Sequence, residues 1–261
     1  MIKKAKSLLK RKFPAFYQGY LAHIVKEKQM QVFEADLNNF KRNATLSQKR
    51  FDEAYEVYPM LDDKTTVTPI EPHYTYHPAW AARILAQTKP QKHVDISSTL
   101  NFCTLVSAFI PIDFYDYRPA QIILEGLKSM HADLIRLDFT NNSISSLSCM
   151  HTLEHIGLGR YGDPIDYDGD LKAISELKRV LAVNGNLLIV VPTGKPKIAY
   201  NAHRIYAYEQ VVSYFKPLEL IEFSLVPDDF GEVGLIKNAS KEIADRQNWG
   251  CGCFWFKKSK S

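Results

Sequence analysis

Three residues in the five-residue segment HTLEH could bind a metal or move a proton: His151, Glu154 and His155. Imidazole and carboxylate groups are ligands for first-row transition metals, and both act as general acids or bases. The H-x-x-E-H spacing is that of a reversed zincin helix. However, an apolar, strand-like segment directly precedes it, and Gly157 and Gly159 follow. We therefore expect these residues in a turn after a strand, and not on a zinc-binding helix.

Strands and helices alternate over most of the chain. We expect a first core helix from Pro78, further helices at 100–109, 121–129, 171–181 and 208–215, and strands at 93–96, 112–116, 131–134, 145–150, 187–191, 218–226 and 251–256. This order predicts the α/β class, with a doubly wound, mostly parallel, seven-stranded Rossmann-like sheet. Ligands of such sheets bind at the carboxyl ends of the strands.

The region before the sheet is expected to be different. Residues 1–60 read as an N-terminal helical extension, and 61–261 as the sheet domain. Four prolines between positions 59 and 78 indicate an extended connector. This connector also holds two histidines and two tyrosines, which could form a lid over the site or a packed strap: His73, Tyr74, Tyr76 and His77.

Acidic residues recur at the expected strand ends, at Asp95, Asp116 and Asp133. A carboxylate at the end of the second strand can accept hydrogen bonds from both hydroxyls of a ribose, as in dinucleotide sites. An aspartate after a strand is often only a turn residue, so the repetition is the informative part.

Two stretches, SISSLSCMHTLEHI (143–156) and DLKAISELKRVLAVNGNLLIVVP (170–192), resemble class I S-adenosylmethionine-dependent methyltransferases. The resemblance covers roughly residues 78–256. More narrowly, HTLEHIGLGRYGDPID and NAHRIY (201–206) resemble an uncharacterised bacterial group associated with surface-polysaccharide genes. The resemblance to this group implies an enzyme that modifies a precursor. The leading hypothesis is S-adenosylmethionine-dependent O-methylation of a small anionic acceptor, such as a sugar phosphate, nucleotide sugar or glycan precursor, in capsule or lipopolysaccharide synthesis. The alternatives are a metal-dependent enzyme on this fold that no longer uses S-adenosylmethionine, and a non-catalytic assembly partner.

The resemblance also assigns the cofactor residues. Asp95 would anchor the first loop, Asp116 would bind the ribose, and Asp133 with Leu134 would meet the adenine; the full set is Asp95, Ser97, Asp116, Asp133, Leu134 and Met150. The family's first loop is normally rich in glycine, whereas residues 97–101 contain none. Either serine and asparagine fill that space acceptably, or the cofactor site is altered or lost.

The histidine segment has three interpretations. Related O-methyltransferases carry E-x-x-E-H here, with a histidine downstream, and bind a divalent ion. The matching set in this chain is His151, Glu154, His155 and His203, whose composition suits a transition metal better than Mg²⁺. Alternatively, His155, His203 and Glu154 are catalytic and one histidine acts as the base. The third interpretation is structural, with hydrogen bonds that hold the turn.

A polar loop after this segment is the candidate substrate site, with Arg160, Tyr161, Asp163 and, from the NAHRIY stretch, Arg204. The two arginines could bind a phosphate bidentately. An Arg–Asp network that orders the loop is the alternative.

Charge and cysteine content limit the remaining possibilities. The chain carries 33 basic and 29 acidic residues, a net charge of +4. Nine of the basic residues lie in the first twelve and last five positions, which leaves 24 basic against 29 acidic groups in the body. Nucleic acid is therefore not an expected partner, although the basic N-terminus could contact a membrane surface.

No signal peptide or membrane span is apparent, so we expect a cytoplasmic protein, with peripheral contact at the inner membrane face as an alternative. The cysteines are expected to be reduced, and the C-x-C pair Cys251 and Cys253 is interpreted as core packing ahead of metal binding.

Overall fold

The computed structural model describes residues 12–46 and 56–260, which divide into two units, Met1–Pro69 and Ile70–Ser261. In the first unit, helix α1 (Pro14–Leu46) lies within the expected helical extension, and residues 47–55 lie outside the described part. Gln29 Nε2 donates a hydrogen bond to Leu61 O at 3.0 Å, which connects the following segment to α1. In the described residues, no helix is both long and apolar enough to cross a membrane.

The second unit is built on one large sheet. Its strands are β1 (His93–Ile96), β2 (Ile112–Asp116), β3 (Leu127–His131), β4 (Ile144–Met150), β5 (Leu181–Thr193), β8 (Glu219–Val226), β9 (Ile236–Lys237) and β10 (Gly250–Lys257); β6 (Lys197–Ala199) and β7 (His203–Ile205) form a separate hairpin. The order across the sheet is β3-β2-β1-β4-β5-β10-β8-β9. Pairing is parallel from β3 to β5 and antiparallel beyond β5.

Helices cover both faces of this sheet, as a doubly wound fold requires. They are α2 (Pro72–Thr88), α3 (Leu100–Val106), α4 (Gly169–Val180), α5 (Tyr208–Tyr214), α6 (Phe230–Val233) and α7 (Lys241–Arg246). One core cluster includes residues of α2 and α3, and the other includes residues of α4, α5 and α7. The predicted fold class is confirmed. The sheet has eight strands and not seven, because the two-residue β9 pairs with β8 at the edge.

The expected start of the first core helix was wrong. Helix α2 begins at Pro72 and continues through Pro78. Glu71 caps it by accepting a hydrogen bond from Tyr74 N at 2.6 Å. Proline is well tolerated at the first helical position, where its missing N–H has no helical partner in any case. The residues assigned to a lid or strap therefore lie on a helix, and His73 and His77 are buried on its inner side.

The helix expected at 121–129 is also absent. Residues 127–131 form β3 instead, which pairs in parallel with β2 along its full length. Asp133 consequently lies in a turn just after the strand, where Arg136 N donates to Asp133 O at 2.9 Å. The segment forms a strand despite its local preference for a helix, because pairing with β2 buries Leu127 in the core.

Candidate functional site

One cleft lies at the carboxyl ends of β1 to β4. One half, named the cofactor half because the sequence analysis assigned its residues to the cofactor, is formed at the ends of β1, β2 and β3 by residues that include Ser97, Asp116, Asp133 and Leu134. The other, named the histidine half, is formed by residues after β4 that include His151, Thr152, His155, Tyr161 and Asp163. The structure therefore brings into one cleft most of the residues that the sequence analysis assigned to cofactor and substrate.

The first loop replaces the missing glycine with a serine in an unusual conformation. Ser97 has φ +56°, in the left-handed region that favours glycine. Asn101 does not take part in the loop, since it lies within α3. The loop is held from below, because Asp95 Oδ1 accepts a hydrogen bond from Ser98 N at 2.9 Å and Oδ2 accepts one from the Ser148 hydroxyl. The chain thus keeps the backbone shape of this loop without a glycine.

Burial raises the pKa of the Asp95 carboxyl group. The side chain is fully buried, and this raises its pKa to about 6, while the hydrogen bonds from Ser148 and Ser98 oppose the shift. Asp95 does not line the cleft. Its position is therefore that of a loop anchor, as the resemblance implies.

Asp116 and Asp133 are arranged alike. Asp116 Oδ1 accepts a hydrogen bond from Arg118 N at 2.7 Å, and Asp133 Oδ1 accepts one from Ile135 N at 3.1 Å. The Oδ2 atoms of Asp116 and Asp133 accept no hydrogen bond from any described residue. Each turn thus fixes one oxygen and leaves the other available to a ligand in the cleft.

Met150 does not line the cleft, contrary to its assignment as a cofactor residue. Its side chain packs in the core cluster beside α2 and α3. Its backbone N donates to Ser98 Oγ at 3.0 Å. Met150 therefore connects the end of β4 to the first loop.

Glu154 lies between two histidines whose acidities are shifted in opposite directions. Its Oε1 is 2.8 Å from His151 Nδ1 and 3.8 Å from His155 Nε2. Burial would lower the pKa of His151, but hydrogen bonds and charge interactions with Cys251 and Glu154 raise it to about 10. Burial lowers the pKa of His155, although Glu154 opposes this. The two shifts thus favour the protonated form of His151 and the neutral form of His155.

The orientation of His155 is fixed by a backbone carbonyl. Its Nδ1 donates to Ala202 O at 2.6 Å, so Nε2 carries the lone pair. The second oxygen of Glu154 is buried and has no hydrogen-bond partner among the described residues. An unpaired buried acceptor is costly, so this atom is suited to stabilising a positive charge that forms beside it.

The metal set inferred from the sequence does not converge. His151 and His155 both lie near Glu154, but the His203 ring packs edge-on against Trp249 with centroids 4.1 Å apart and does not line the cleft. Burial also lowers the pKa of His203. Among the described residues, the group with metal-binding geometry is instead His73, His151 and Cys251, whose ligand atoms lie within 4.8 Å of one another.

The two arginines assigned to phosphate binding differ in position. Arg204 is buried, and it donates to Ile156 O at 2.7 Å and to Tyr167 O at 3.0 Å, with Asp170 at 3.6 Å. Its guanidinium is therefore used within the protein, which corrects its assignment to substrate and matches the loop-ordering alternative. Arg160 is exposed; its Nη1 donates to Ala202 O at 3.0 Å, and its guanidinium lies 5.0 Å from the centre of the Tyr161 ring.

Asp163 and Gly157 shape the loop after β4. Asp163 Oδ2 accepts a hydrogen bond from Gly157 N at 2.8 Å. Gly157 has φ +79°, and a Cβ there would collide with Asp166 O. This position therefore requires glycine, and the loop that forms this wall of the cleft has a fixed backbone shape here.

Sequence reasoning missed Arg118, which lines the cleft. Its guanidinium carbon lies over the Tyr161 ring, 4.6 Å from the ring centroid. Its place two residues after Asp116 was the available signal, since loops that follow strand ends form such sites. It also missed the contact of His73 and Cys251 with His151, for which a single sequence carries no signal.

Comparison with known proteins gives three findings. Residues 126–228 match a family model described as "Caenorhabditis protein of unknown function, DUF268". No curated protein is significantly similar in sequence.

Two solved structures are similar in fold. The N-methyltransferase NodS from Bradyrhizobium japonicum WM9, in complex with S-adenosylhomocysteine, has a TM-score of 0.51 at 12% identity, with 72% of this chain and 89% of that chain covered. A protein from Bacillus halodurans C-125, named provisionally as a methyltransferase, has a TM-score of 0.50 at 13% identity, with 70% and 99% covered. The sheet order and these two likenesses show that this chain has a Rossmann-like α/β fold similar to that of both proteins.

Proposed function

We propose that this protein is an S-adenosylmethionine-dependent methyltransferase that acts on an oxygen of a small anionic acceptor. The observation that carries the proposal is the cleft itself, in which Ser97, Asp116 and Asp133 meet at three successive strand ends. This is the place where the fold binds its ligands.

The cofactor half fits S-adenosylmethionine. Asp116 would accept hydrogen bonds from the ribose hydroxyls, and Asp133 with the Leu134 backbone would contact the adenine. The left-handed Ser97 lets the backbone approach the methionine part closely, which is the role of glycine in such loops. When bound, the cofactor supplies an electrophilic methyl group.

The histidine half supplies the base. His155 is neutral and its Nε2 lone pair is available, so it can accept the proton of an acceptor hydroxyl as the oxygen is methylated. The imidazolium that results lies 3.8 Å from Glu154 Oε1. Glu154 would therefore stabilise the protonated state, and His155 would return its proton to solvent after product release.

The acceptor's anionic group would be bound at the rim of the cleft. Arg118 and Arg160 pack over the same ring, that of Tyr161, at 4.6 and 5.0 Å. A stacked guanidinium is well oriented for bidentate contact with phosphate. A sugar phosphate, nucleotide sugar or glycan precursor has both the hydroxyl and the anion that this arrangement needs. The resemblance to a group associated with surface polysaccharides supports a role in capsule or lipopolysaccharide synthesis.

Calorimetry with S-adenosylhomocysteine tests the cofactor directly. We expect binding to the full-length protein, and much weaker binding to Asp116→Ala. Asp113→Ala is the matched control, because Asp113 lies on the same strand but outside the cleft and pairs with Lys92. Absence of binding by correctly folded protein would overturn the proposal.

A screen with labelled S-adenosylmethionine then tests the acceptor class. The panel pairs sugar phosphates and nucleotide sugars with their uncharged parent sugars. Methylation restricted to the phosphorylated members is the expected result. Methylation of uncharged or amine acceptors alone would contradict the acceptor assignment while leaving methyl transfer intact.

A further inference from the structure

The cluster of His73, His151 and Cys251 lies at the inner wall of the histidine half, where α2, the end of β4 and the start of β10 meet. All three side chains are buried. The C-x-C pair was interpreted from sequence as core packing, and both cysteines are indeed fully buried in the core. However, Cys251 also makes a polar contact, since its Sγ lies 3.5 Å from His151 Nε2.

We propose that His73, His151 and Cys251 form a binding site for a zinc-class divalent transition metal. This site differs from the set inferred from sequence, and it does not depend on the methyltransferase proposal. Two imidazoles and one thiolate suit Zn²⁺ or Co²⁺ and leave a further coordination position open.

The spacing of His151 and Cys251 already matches a tetrahedral site. With Zn–N bonds of about 2.0–2.1 Å and a Zn–S bond of about 2.3 Å, the two ligand atoms of a tetrahedral ion lie about 3.5 Å apart. The observed Nε2–Sγ distance is 3.5 Å. Little movement of this pair is therefore needed.

The outer contacts of His151 are those of a metal ligand. Its Nδ1 faces Glu154 Oε1 at 2.8 Å, and its Nε2 faces Cys251. A carboxylate behind a histidine is the usual support for a zinc-bound imidazole, because it fixes the ring and makes the ligating nitrogen more basic. Metal binding would displace a proton from His151 and one from the Cys251 thiol, and both would pass to solvent.

His73 is held in the matching tautomer. Its Nε2 donates to Trp249 O at 3.0 Å, which leaves the lone pair on Nδ1. Trp249 Nε1 donates weakly to that Nδ1 at 3.3 Å. The His73 ring stacks on His151 with centroids 5.1 Å apart. To ligate, the ring must turn out of this stack and exchange the indole N–H for the ion.

A third histidine provides an independent observation. His77 Nδ1 donates to His73 O at 2.7 Å, so its Nε2 is an acceptor, and this atom is buried with no hydrogen-bond partner among the described residues. The His77 ring packs edge-on against His151 with centroids 5.1 Å apart. An unpaired buried imidazole nitrogen beside two other histidines is costly in a purely structural cluster, so a polar ligand bound beside it would lower this cost.

Cobalt titration of untagged, full-length protein tests the site. After treatment with a chelator, the protein should bind a single Co²⁺ ion with a thiolate-to-cobalt charge-transfer band, and Zn²⁺ should abolish that band. Cys251→Ser should lose the band and bind Co²⁺ at least about a hundredfold more weakly, as expected for loss of a direct ligand. Cys103→Ser is the matched control, because Cys103 is also a buried free thiol but lies outside the cluster.

A second variant guards against simple misfolding. His73→Phe keeps a ring stacked on His151 and should weaken Co²⁺ binding while the thermal unfolding of the metal-free protein remains cooperative. Ion binding should also change the fluorescence of Trp249, and Trp249→Phe should remove that response but keep the charge-transfer band. The proposal is wrong if wild-type protein shows no thiolate band, if the band persists in Cys251→Ser, or if Cys103→Ser loses it equally.

Discussion

The cofactor half and the histidine half of the cleft are built in different ways. The cofactor half uses the ends of β1, β2 and β3, which are parallel neighbours in the sheet. The histidine half adds side chains from elements far apart in the chain, since His73 and Cys251 both contact His151. The first half thus follows from strand order, whereas the second depends on packing between elements.

The two halves also treat charge differently. In the cofactor half, Asp116 and Asp133 sit in turns that leave one oxygen available to a ligand. In the histidine half, the buried carboxylate of Glu154 lies close to the imidazoles of His151 and His155. The pKa of His151 is raised, while that of His155 is lowered. Groups whose acidities are driven apart in this way are typical of acid–base chemistry. Under the proposed function, the cofactor half would bind S-adenosylmethionine and the histidine half would carry out the proton transfer.

The largest effect should come from His155. Replacing a general base usually costs about 10²–10⁴-fold in rate, so we expect His155→Gln to lower kcat by that amount with little change in cofactor affinity. The measurement is methyl transfer to the acceptor identified by the screen. His131→Gln is the matched control, because His131 Nδ1 also contacts a backbone carbonyl, Tyr117 O at 3.0 Å, but lies outside the cleft. Equal losses in both variants would remove the distinction between the halves.

Asp95 should make stability depend on pH. Because its pKa is raised from 3.8 to about 6 in the folded protein, the native state binds this proton more tightly than the unfolded chain does. Stability is therefore lost as pH rises through that window, by about 3 kcal/mol in total at about 1.36 kcal/mol per pKa unit. Denaturant unfolding of wild type and Asp95→Asn at several pH values isolates this contribution. A difference that stays constant with pH, or grows in favour of wild type, would contradict it.

Asp116 should have a smaller effect, confined to binding. Loss of hydrogen bonds from a charged acceptor costs about 1.5–3 kcal/mol, which corresponds to roughly 10–100-fold weaker binding of S-adenosylhomocysteine by Asp116→Ala. Calorimetry gives the dissociation constant, and the melting temperature without ligand should be nearly unchanged. If Asp113→Ala weakens binding as much, strand-end position does not explain the cofactor half.

Much of the cofactor half could be predicted from sequence because it is local. Asp95 and Asp116 fall at the ends of short apolar strands whose bounds were predicted correctly, 93–96 and 112–116. In a parallel sheet such ends share one edge. Asp133 was placed at the correct edge although β3 was predicted several residues too late, because the turn that holds it follows the strand directly.

The histidine half could be predicted only in part. The HTLEH spacing indicated His155 and Glu154 as candidate site residues. It did not reveal that Arg204 donates its hydrogen bonds to the carbonyls of Ile156 and Tyr167. Nor did it reveal that His203 packs on Trp249. These outcomes depend on competition among partners distant in sequence.

The sequence by itself determined the alternation of strands and helices, the acidic strand ends and the histidine segment, because each depends on periodicity or spacing over a few residues. Only the tertiary structure decided that Ser97 takes the conformation favoured by glycine, that His73 lies on a helix that begins at Pro72, and that Cys251 faces His151. The physical reason is that backbone strain, burial and long-range contacts are set by the whole packed core. A cysteine on β10 and a histidine after β4 meet only when β5 has paired with both strands.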